Sequence, residues 1–279
     1  MPVVSIIVPC FNQGQYLRGA LDSIFSQSYD QWECIIVNDS STDETELVAK
    51  SYIKKDNRFK YIKTAGIGVS AVRNEGIKVA SGQYILPLDG DDKIAPIYLE
   101  KAIEAFRKFP DLSLVYGEAE FFGERSGVWN LPNYNYYDLL FNNLMYCSAI
   151  FKREDFNKIG GYSTEMVHGL EDWDLWLRLL NKKSKVLKLP EVVFYYRIKS
   201  LSRSTELLKE GKMAQTRKQL LNRNLDIYND YLFKILEDLS NCKSEKIRIE
   251  KQLISLKNSR THKIVSLLKS VANKFKFNL

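Results

Sequence analysis

The chain has 279 residues, of which 45% are hydrophobic and 27% charged, a composition typical of a globular protein with a buried core. Its net charge of +7 does not indicate nucleic-acid binding, because residues 211–279 hold 15 of the 41 basic and only six of the 34 acidic side chains. The four cysteines lack Cys-x-x-Cys spacing and only two histidines occur, which argues against a zinc site or a disulfide framework. The sequence shows neither a signal-peptide pattern nor an apolar run of about 20 residues, which argues against secretion and a membrane span. We therefore expect a cytoplasmic chain.

Strands and helices are expected to alternate through the first 150 residues. Residues 3–10 and 33–38 are nearly continuous apolar runs, which is typical of strands buried on both faces of a parallel sheet. Further strands are expected at 59–63, 84–88, 112–116 and 148–151, and helices at 15–26, 43–55, 69–79 and 97–109. This alternation predicts an α/β domain over residues 1–206, with a mostly parallel central sheet flanked by helices.

A basic helical extension is expected over residues 207–279. Glycine and proline do not occur after Gly211, and residues 262–277 have the pattern of a basic amphipathic helix. Its apolar face is suited to an anionic membrane surface, to the main domain or to a second subunit in a homo-oligomer. The sequence leaves these alternatives open.

Polar residues collect where three of the predicted strands end. The richest collection is Asp89-Gly90-Asp91-Asp92, in which three carboxylates repel one another unless a cation neutralises them. Oxygen ligands favour Mg²⁺ or Mn²⁺, with substrate phosphates completing the coordination shell. The alternative is a solvated acidic turn, but the strand directly before it favours a ligand site, since ligands of open α/β sheets bind beyond the carboxyl ends of strands.

Two neighbouring motifs have plain structural alternatives. Asp39 follows the second strand and is suited to capping the next helix, while Arg73 is suited either to an exposed helix face or to binding a phosphate or base. Residues 66–71 match the pattern Gly-x-Gly-x-x-Ala of dinucleotide-binding proteins, but that fingerprint belongs to the first strand–helix turn. A dehydrogenase is therefore not expected.

These motifs, in their order and spacing, resemble the inverting family 2 glycosyltransferases of GT-A fold over about residues 3–205. They are Pro9-Cys10-Phe11-Asn12, Asn38-Asp39-Ser40-Ser41-Thr42-Asp43, Ala71-Arg73-Asn74-Gly76 and Asp89-Gly90-Asp91-Asp92. The resemblance implies a nucleotide pocket lined by Pro9, Phe11 and Asn12, with Asp39 on the base and Arg73 on the base or diphosphate. It also implies that Asp89 contacts the ribose and that Asp91 ligates the metal.

The same resemblance assigns the acceptor side to the second half of the chain. Asp172, in Glu171-Asp172-Trp173, matches the general base of the family, with Glu171 and Trp173 beside the acceptor. A carboxylate that takes the proton of a sugar hydroxyl contributes about 10²–10⁴-fold to the rate. Lys199 stands where many relatives carry a histidine near the metal, and a protonated ammonium cannot ligate a cation. We therefore expect weaker metal dependence, with Lys199 neutralising the diphosphate.

The function predicted is transfer of a sugar from a nucleotide diphosphate to a hydroxyl in bacterial surface-polysaccharide assembly. A UDP-sugar is the default donor, Mn²⁺ or Mg²⁺ the cofactor, and a glycan or lipid-linked glycan at the inner face of the membrane the acceptor. Two other classes stay open: a non-catalytic module that binds sugar nucleotides, and a scaffold whose C-terminal helices are the functional part.

Overall fold

The computed structural model describes residues 1–200, 202, 207, 211–258, 263 and 266. The first half of the chain folds in this order: β1 (Val4–Cys10), α1 (Gly14–Phe25), β2 (Trp32–Asp39), α2 (Thr45–Lys55), β3 (Phe59–Thr64), α3 (Val69–Lys78), β4 (Tyr84–Pro87), β5 (Lys93–Ile94), α4 (Tyr98–Lys108) and β6 (Leu112–Gly123). The second half continues with these elements: β7 (Gly127–Trp129), α5 (Tyr136–Leu139), β8 (Ile150–Lys152), α6 (Arg153–Lys158), α7 (Glu171–Leu179), β9 (Lys185–Ile198), α8 (Lys212–Arg223), α9 (Leu225–Asn229) and α10 (Leu232–Asn258).

The strands form one nine-stranded sheet. Eight of them follow the order β3-β2-β1-β4-β8-β6-β9-β5, and β7 pairs with β6 outside this order. The first four strands are parallel, with Val4 opposite Trp32 on one side and Tyr84 on the other. Every residue of β1 and β2 is buried, as their nearly continuous apolar runs predict. The α/β class and this parallel half are confirmed.

The other half of the sheet is mixed, which differs from the mostly parallel sheet expected. β8 runs antiparallel to β4 and to β6, and β5 runs antiparallel to β9. The long strands β6 and β9 pair in parallel from Leu112 to Gly123, with register shifts near Gly117. β9 was not among the strands expected from the sequence.

Helix α3 lies very close to the sheet. A Cβ at Gly76 would come within 2.6 Å of Ile7 on β1 and 3.0 Å of Val37 on β2, so only glycine allows this approach. The approach carries the polar residues at the start of α3 below the surface. Gly76 in the motif therefore explains why Arg73, three residues earlier on the helix, is buried.

The chain divides into two compact units, residues 1–224 and 225–279. The first unit extends beyond the boundary expected at 206, because α8 buries Thr216 and Leu220 within it. The predicted amphipathic helix at 262–277 lies outside the described residues, apart from Lys263 and Ser266. Among the residues that the structure describes, none of the helices is both long and apolar enough to cross a bilayer.

Candidate active site

Two cavities lie beyond the carboxyl ends of the parallel strands. The larger has a volume of about 540 Å³ and is lined by residues that follow β1, β2 and β4. The smaller has a volume of about 260 Å³ and is lined by residues at the start of α7 and on β9. Asp89 and Tyr196 line both cavities, so the two are neighbours that share a wall.

The loop after β1 contributes to the larger cavity in part. Pro9 and Phe11 line it, and Phe11 is 59% exposed. Asn12 does not line it: its Oδ1 accepts the backbone N–H of Thr42, and its own N–H donates to Ser41. The predicted contact of Asn12 with the donor is therefore replaced, in this structure, by a link between the loops that follow β1 and β2.

The carboxylate of Asp39 organises one edge of the larger cavity. It accepts the backbone N–H groups of Gly66, Ile67 and Gly68 at 2.9–3.0 Å and the hydroxyl of Thr64 at 2.6 Å. Burial would raise the pKa of Asp39, but these hydrogen bonds outweigh it and the pKa is lowered.

Gly66 and Gly68 adopt φ of +78° and +84°, which turns successive N–H groups toward one anion. The Gly-x-Gly pattern is thus explained by Asp39, and Asp39 does not cap α2 as the alternative interpretation held. Three of its four contacts use Oδ1, while Oδ2 accepts only the Gly68 N–H among them.

Arg73 lies between two carboxylates. Its guanidinium donates to Glu171 Oε1 at 2.8 Å and to Asp89 Oδ1 at 2.6 Å, and its side chain is only 1% exposed. Burial disfavours the charged form, but Asp89 and Glu171 outweigh it and the pKa of Arg73 is raised. Arg73 lines the smaller cavity and not the larger one. Direct binding of the base or diphosphate by Arg73 does not fit this placement; it orients Asp89 instead.

Asn74 holds the neighbouring segment in place. Its side-chain amide exchanges two hydrogen bonds of 2.9 Å with the backbone of Tyr162, and the Tyr162 ring lies 5.4 Å from the Arg73 guanidinium. Arg73 and Asn74 thereby join α3 to the segment that leads into α7. Adjacent residues of one helix thus fix the position of Glu171 relative to Asp89.

Asp91 lines the larger cavity and is ion-paired with Lys199. Both side chains are mostly buried, at 16% and 18% exposure. Lys199 therefore lies beside Asp91, the predicted metal ligand, as the sequence predicts. Lys199 also lies 5.0 Å from the ring of Tyr16 on α1.

Asp92 and Arg197 fix the acidic tetrapeptide against the end of β9. The backbone N–H of Arg197 donates to Asp92 Oδ1 at 2.8 Å, and its guanidinium donates to the carbonyl of Asp91 at 2.9 Å. Burial, Asp91 and Asp89 raise the pKa of Asp92 well above its usual range. Gly90 does not adopt a positive φ; a Cβ there would lie 3.3 Å from Cys10, so close packing explains the glycine.

The residues present fit a divalent cation that takes few protein ligands. Asp91 offers a hard oxygen at the cavity wall, and Asp92 Oδ2 is buried without a hydrogen-bond partner. Among the described residues no three metal-ligating side chains converge. This set suits Mg²⁺ or Mn²⁺ bound by one or two protein carboxylates and otherwise by substrate phosphate oxygens, as Mg²⁺ commonly is.

Asp172 lines the smaller cavity at the N-terminus of α7. Its Oδ2 accepts the side-chain amide of Asn143 at 2.9 Å, and its Oδ1 accepts the N–H of Trp173. Burial and the charge of Glu171 raise its pKa to about 6, against the lowering effects of Asn143, Arg73 and the Trp173 N–H. A carboxylate with that pKa is ionised at neutral pH and is still basic enough to take a proton.

Two neighbours on α7 have structural roles. Trp173 is 3% exposed, lines neither cavity, and donates its indole N–H to the carbonyl of Leu139 at 2.7 Å, so the predicted acceptor contact does not fit. Asp174 lies in the first turn of α7, is fully buried and is bonded to Arg178 and Asn224. Glu171 lines the smaller cavity while pairing with Arg73.

Sequence reasoning missed four residues at the two cavities. Asn143 touches Asp172, Cys147 lies 3.8 Å from Asp89, Tyr196 lines both cavities, and Arg197 holds the tetrapeptide. Asn143 and Cys147 stand in a stretch without strand or helix periodicity, so nothing in the sequence placed them. The β-branched and aromatic residues of 192–198 were the available signal for a strand that carries Tyr196 and Arg197.

Comparison with known proteins adds the following findings. Residues 5–167 match the model of Glycosyl transferase family 2. Over 120 residues the chain is 42% identical to the putative glycosyltransferase EpsH of Bacillus subtilis, covering 43% of this chain and 35% of that one. It is 29% identical over 245 residues to the minor teichoic acid biosynthesis protein GgaB of the same organism, covering 84% and 27%. The chain spans 22–35% of the length of the first three curated relatives that it matches.

Solved structures resemble the chain in fold. Staphylococcus aureus TarS 1-349 in complex with UDP-GlcNAc has a TM-score of 0.63 at 19% identity, covering 83% of this chain and 73% of that one. The mannosyltransferase PcManGT of Pyrobaculum calidifontis in complex with GDP-Man and Mn²⁺ has a TM-score of 0.60 at 16% identity, covering 96% and 84%. The predicted GT-A fold is thereby confirmed.

Proposed function

The chain belongs to glycosyl transferase family 2, and from this premise we propose that it transfers a sugar from a nucleotide diphosphate to a hydroxyl group with inversion at the anomeric carbon. The observation that carries the proposal is the pair of adjoining cavities. The larger holds the acidic tetrapeptide and the smaller holds a carboxylate whose pKa is raised to about 6. A donor and an acceptor in these cavities would meet beside Asp89.

The larger cavity is proposed as the donor site. Pro9, Phe11 and Asp39 are at the end that would receive the base, and Asp89 stands between the two cavities, where a ribose hydroxyl would reach it. The named relatives of known structure bind UDP-GlcNAc or GDP-Man, which supports a nucleotide-sugar donor. UDP is the default nucleotide, and the sugar is a hexose or N-acetylhexosamine.

Asp91 is proposed to hold Mn²⁺ or Mg²⁺ against the donor diphosphate, where the cation would supply charge stabilisation to the leaving group. The Mn²⁺ complex of PcManGT supports the use of a cation in this fold. Lys199, already beside Asp91, would add its positive charge to the departing diphosphate. Two positive charges at one leaving group are consistent with the weaker metal dependence expected.

The smaller cavity is proposed as the acceptor site. Asp172 would take the proton of the acceptor hydroxyl while the oxygen of that hydroxyl bonds to the anomeric carbon. The bond from this carbon to the diphosphate breaks, and the diphosphate leaves with the electron pair. Asn143 would hold the carboxylate in position. GgaB, a protein of teichoic acid biosynthesis, supports a glycan or lipid-linked glycan acceptor in surface-polysaccharide assembly.

The test is a transfer assay against a panel of nucleotide sugars with Mn²⁺, preceded by thermal-shift screening, since a ligand that binds only the folded state raises the Tm. NMR of the product anomer reports inversion or retention. Asp172→Asn should bind the donor as the wild type does and lose about 10²–10⁴-fold in transfer. Transfer retained by Asp172→Asn would remove the residue from the role of base, and retention of configuration would overturn the proposed mechanism.

A further inference from the structure

Helix α10 carries a heptad pattern along its whole length. Starting from Leu232, positions a and d of successive heptads form a seam of eight residues, seven of them apolar or cysteine. Position a is occupied by Leu232, Leu239, Lys246 and Leu253, and position d by Ile235, Cys242, Ile249 and Leu256. Apolar residues that recur at a and d over four heptads are the pattern of a helix that packs against a second helix.

The seam is open to solvent. Leu239 is 61% exposed, Ile249 52% and Leu256 64%, and Cys242 is also exposed. The helix has 27 residues and would be about 40 Å long, so the stripe extends over roughly seven turns. An apolar stripe of this length on a soluble helix marks an interaction surface.

We propose that α10 pairs with α10 of a second copy of this chain as an antiparallel coiled coil. Charge decides the orientation. In a parallel pair Lys246 would face Lys246 of the second copy inside the seam, and Glu245 would face Glu250 across its edge. Both contacts bring like charges together, which costs free energy.

The antiparallel pair removes both conflicts. Counting along the two helices, Lys246 then faces Ile249 of the second copy, and its stem packs on that side chain while the ammonium reaches solvent. Lys243 faces Glu250 at the edge, and the two-fold symmetry repeats this contact. The edge charges also set the register. A shift by one heptad would pair all eight seam residues, but it would bring Lys243 against Lys243 and Glu245 against Glu245 of the second copy.

The first experiment measures mass. Light scattering of the full chain is expected to give twice the mass of one chain, and Leu239→Asp, which puts a charge in the seam, is expected to give a single chain. Ser244→Asp is the matched control, because Ser244 lies on the same helix at a solvent-facing position of the heptad. A monomeric wild type would overturn the proposal, whether or not it is recovered on anionic vesicles.

The second experiment measures orientation. In the antiparallel pair Cys242 faces Leu253 of the second copy, so oxidation of the wild type should leave the chains unlinked. Leu253→Cys should cross-link them, since 11 residues, about 16 Å of helix, separate the two positions within one chain and prevent an internal disulfide. Leu253→Cys combined with Cys242→Ser should again stay unlinked. Cross-linking of the wild type through Cys242, lost in Cys242→Ser, would mean a parallel pair and would contradict the proposed orientation.

Discussion

The ammonium group of Lys199 and the carboxylate of Asp91 form an ion pair at the wall of the larger cavity. Asp91 is also the proposed ligand of the metal, so the cation and Lys199 share one carboxylate. A cation that binds there must compete with the ammonium for Asp91, while a bound diphosphate would attract both. This relationship makes the effects of removing Lys199 opposite for metal binding and for turnover.

Lys199→Met is expected to lower kcat by roughly 10- to 100-fold at saturating donor and metal, because a positive charge at the leaving group is lost. The same variant should bind Mn²⁺ more tightly without nucleotide, because Asp91 is released. Steady-state kinetics and Mn²⁺ titration followed by electron paramagnetic resonance measure the two effects.

Lys188→Met is the matched control for Lys199→Met. Lys188 is equally buried, at 15% exposure, and pairs with Glu118 away from the larger cavity. It should change neither kcat nor Mn²⁺ affinity. Unchanged turnover in Lys199→Met would remove Lys199 from the leaving-group role.

The pH dependence of transfer should follow Asp172. A base works only when unprotonated, so kcat/KM should rise with pH through about 6 and fall about tenfold for each unit below it. Asn143→Ala removes a hydrogen bond that favours the charged form of Asp172, so the pKa of Asp172 rises. The acid limb, which is the low-pH side of the rate–pH profile, then moves to higher pH. Asn142→Ala, at the exposed neighbouring position, should leave the profile in place. An acid limb unmoved by Asn143→Ala would mean that another group is titrating.

Glu171→Gln is expected to move the acid limb of the rate–pH profile to lower pH, opposite to Asn143→Ala. The charge of Glu171 raises the pKa of Asp172, so its removal lowers that pKa and extends activity to lower pH. It also leaves the buried guanidinium of Arg73 with Asp89 as its carboxylate partner in place of two, and the free energy of unfolding should fall by about 1–3 kcal/mol. Rate–pH profiles and urea unfolding measure the two effects. A limb moved to higher pH, or a free energy of unfolding equal to that of the wild type, would contradict the assigned network.

Much of the donor half was predictable from the sequence, and less of the acceptor half was. The nearly continuous apolar runs of β1 and β2 are typical of strands buried on both faces, so the parallel strands and the polar loops after them were predictable. The burial of Arg73 could not be predicted, because it depends on Gly76 bringing α3 against Ile7 and on a partner 98 residues away in the chain.

The same limit applies to the side chains around Asp172. Asn143 reaches Asp172 from a segment without helix or strand, where no hydrophobic period in the sequence shows where a side chain will lie. Trp173 has the size and polarity of a sugar-stacking residue, and only the Leu139 carbonyl beside its indole shows that it belongs to the core. Contacts between distant segments set these roles, and one sequence does not encode them locally.

Glu33 should carry a large part of the acid sensitivity of the fold. It is 3% exposed and accepts hydrogen bonds from Ser5, Ser81 and Lys60 at 2.6–2.7 Å. Burial would raise its pKa, but these bonds outweigh it and the pKa falls from 4.5 to about 2. Because the folded-state pKa is the lower one, the stabilisation is present above about pH 4.5 and is lost as the pH falls toward 2.

Glu33→Gln should therefore lower the free energy of unfolding at pH 7 by on the order of 3 kcal/mol, and by much less at pH 2. Glu46→Gln is the matched control: the pKa of Glu46 is also lowered to about 2, by Lys50 and Lys63, but solvent and salt screen this exposed cluster. Urea unfolding of both variants at pH 7 and pH 2, with and without 0.5 M NaCl, separates the two cases. A loss in Glu33→Gln that salt abolishes, or that persists undiminished at pH 2, would mean that the buried carboxylate is not its source.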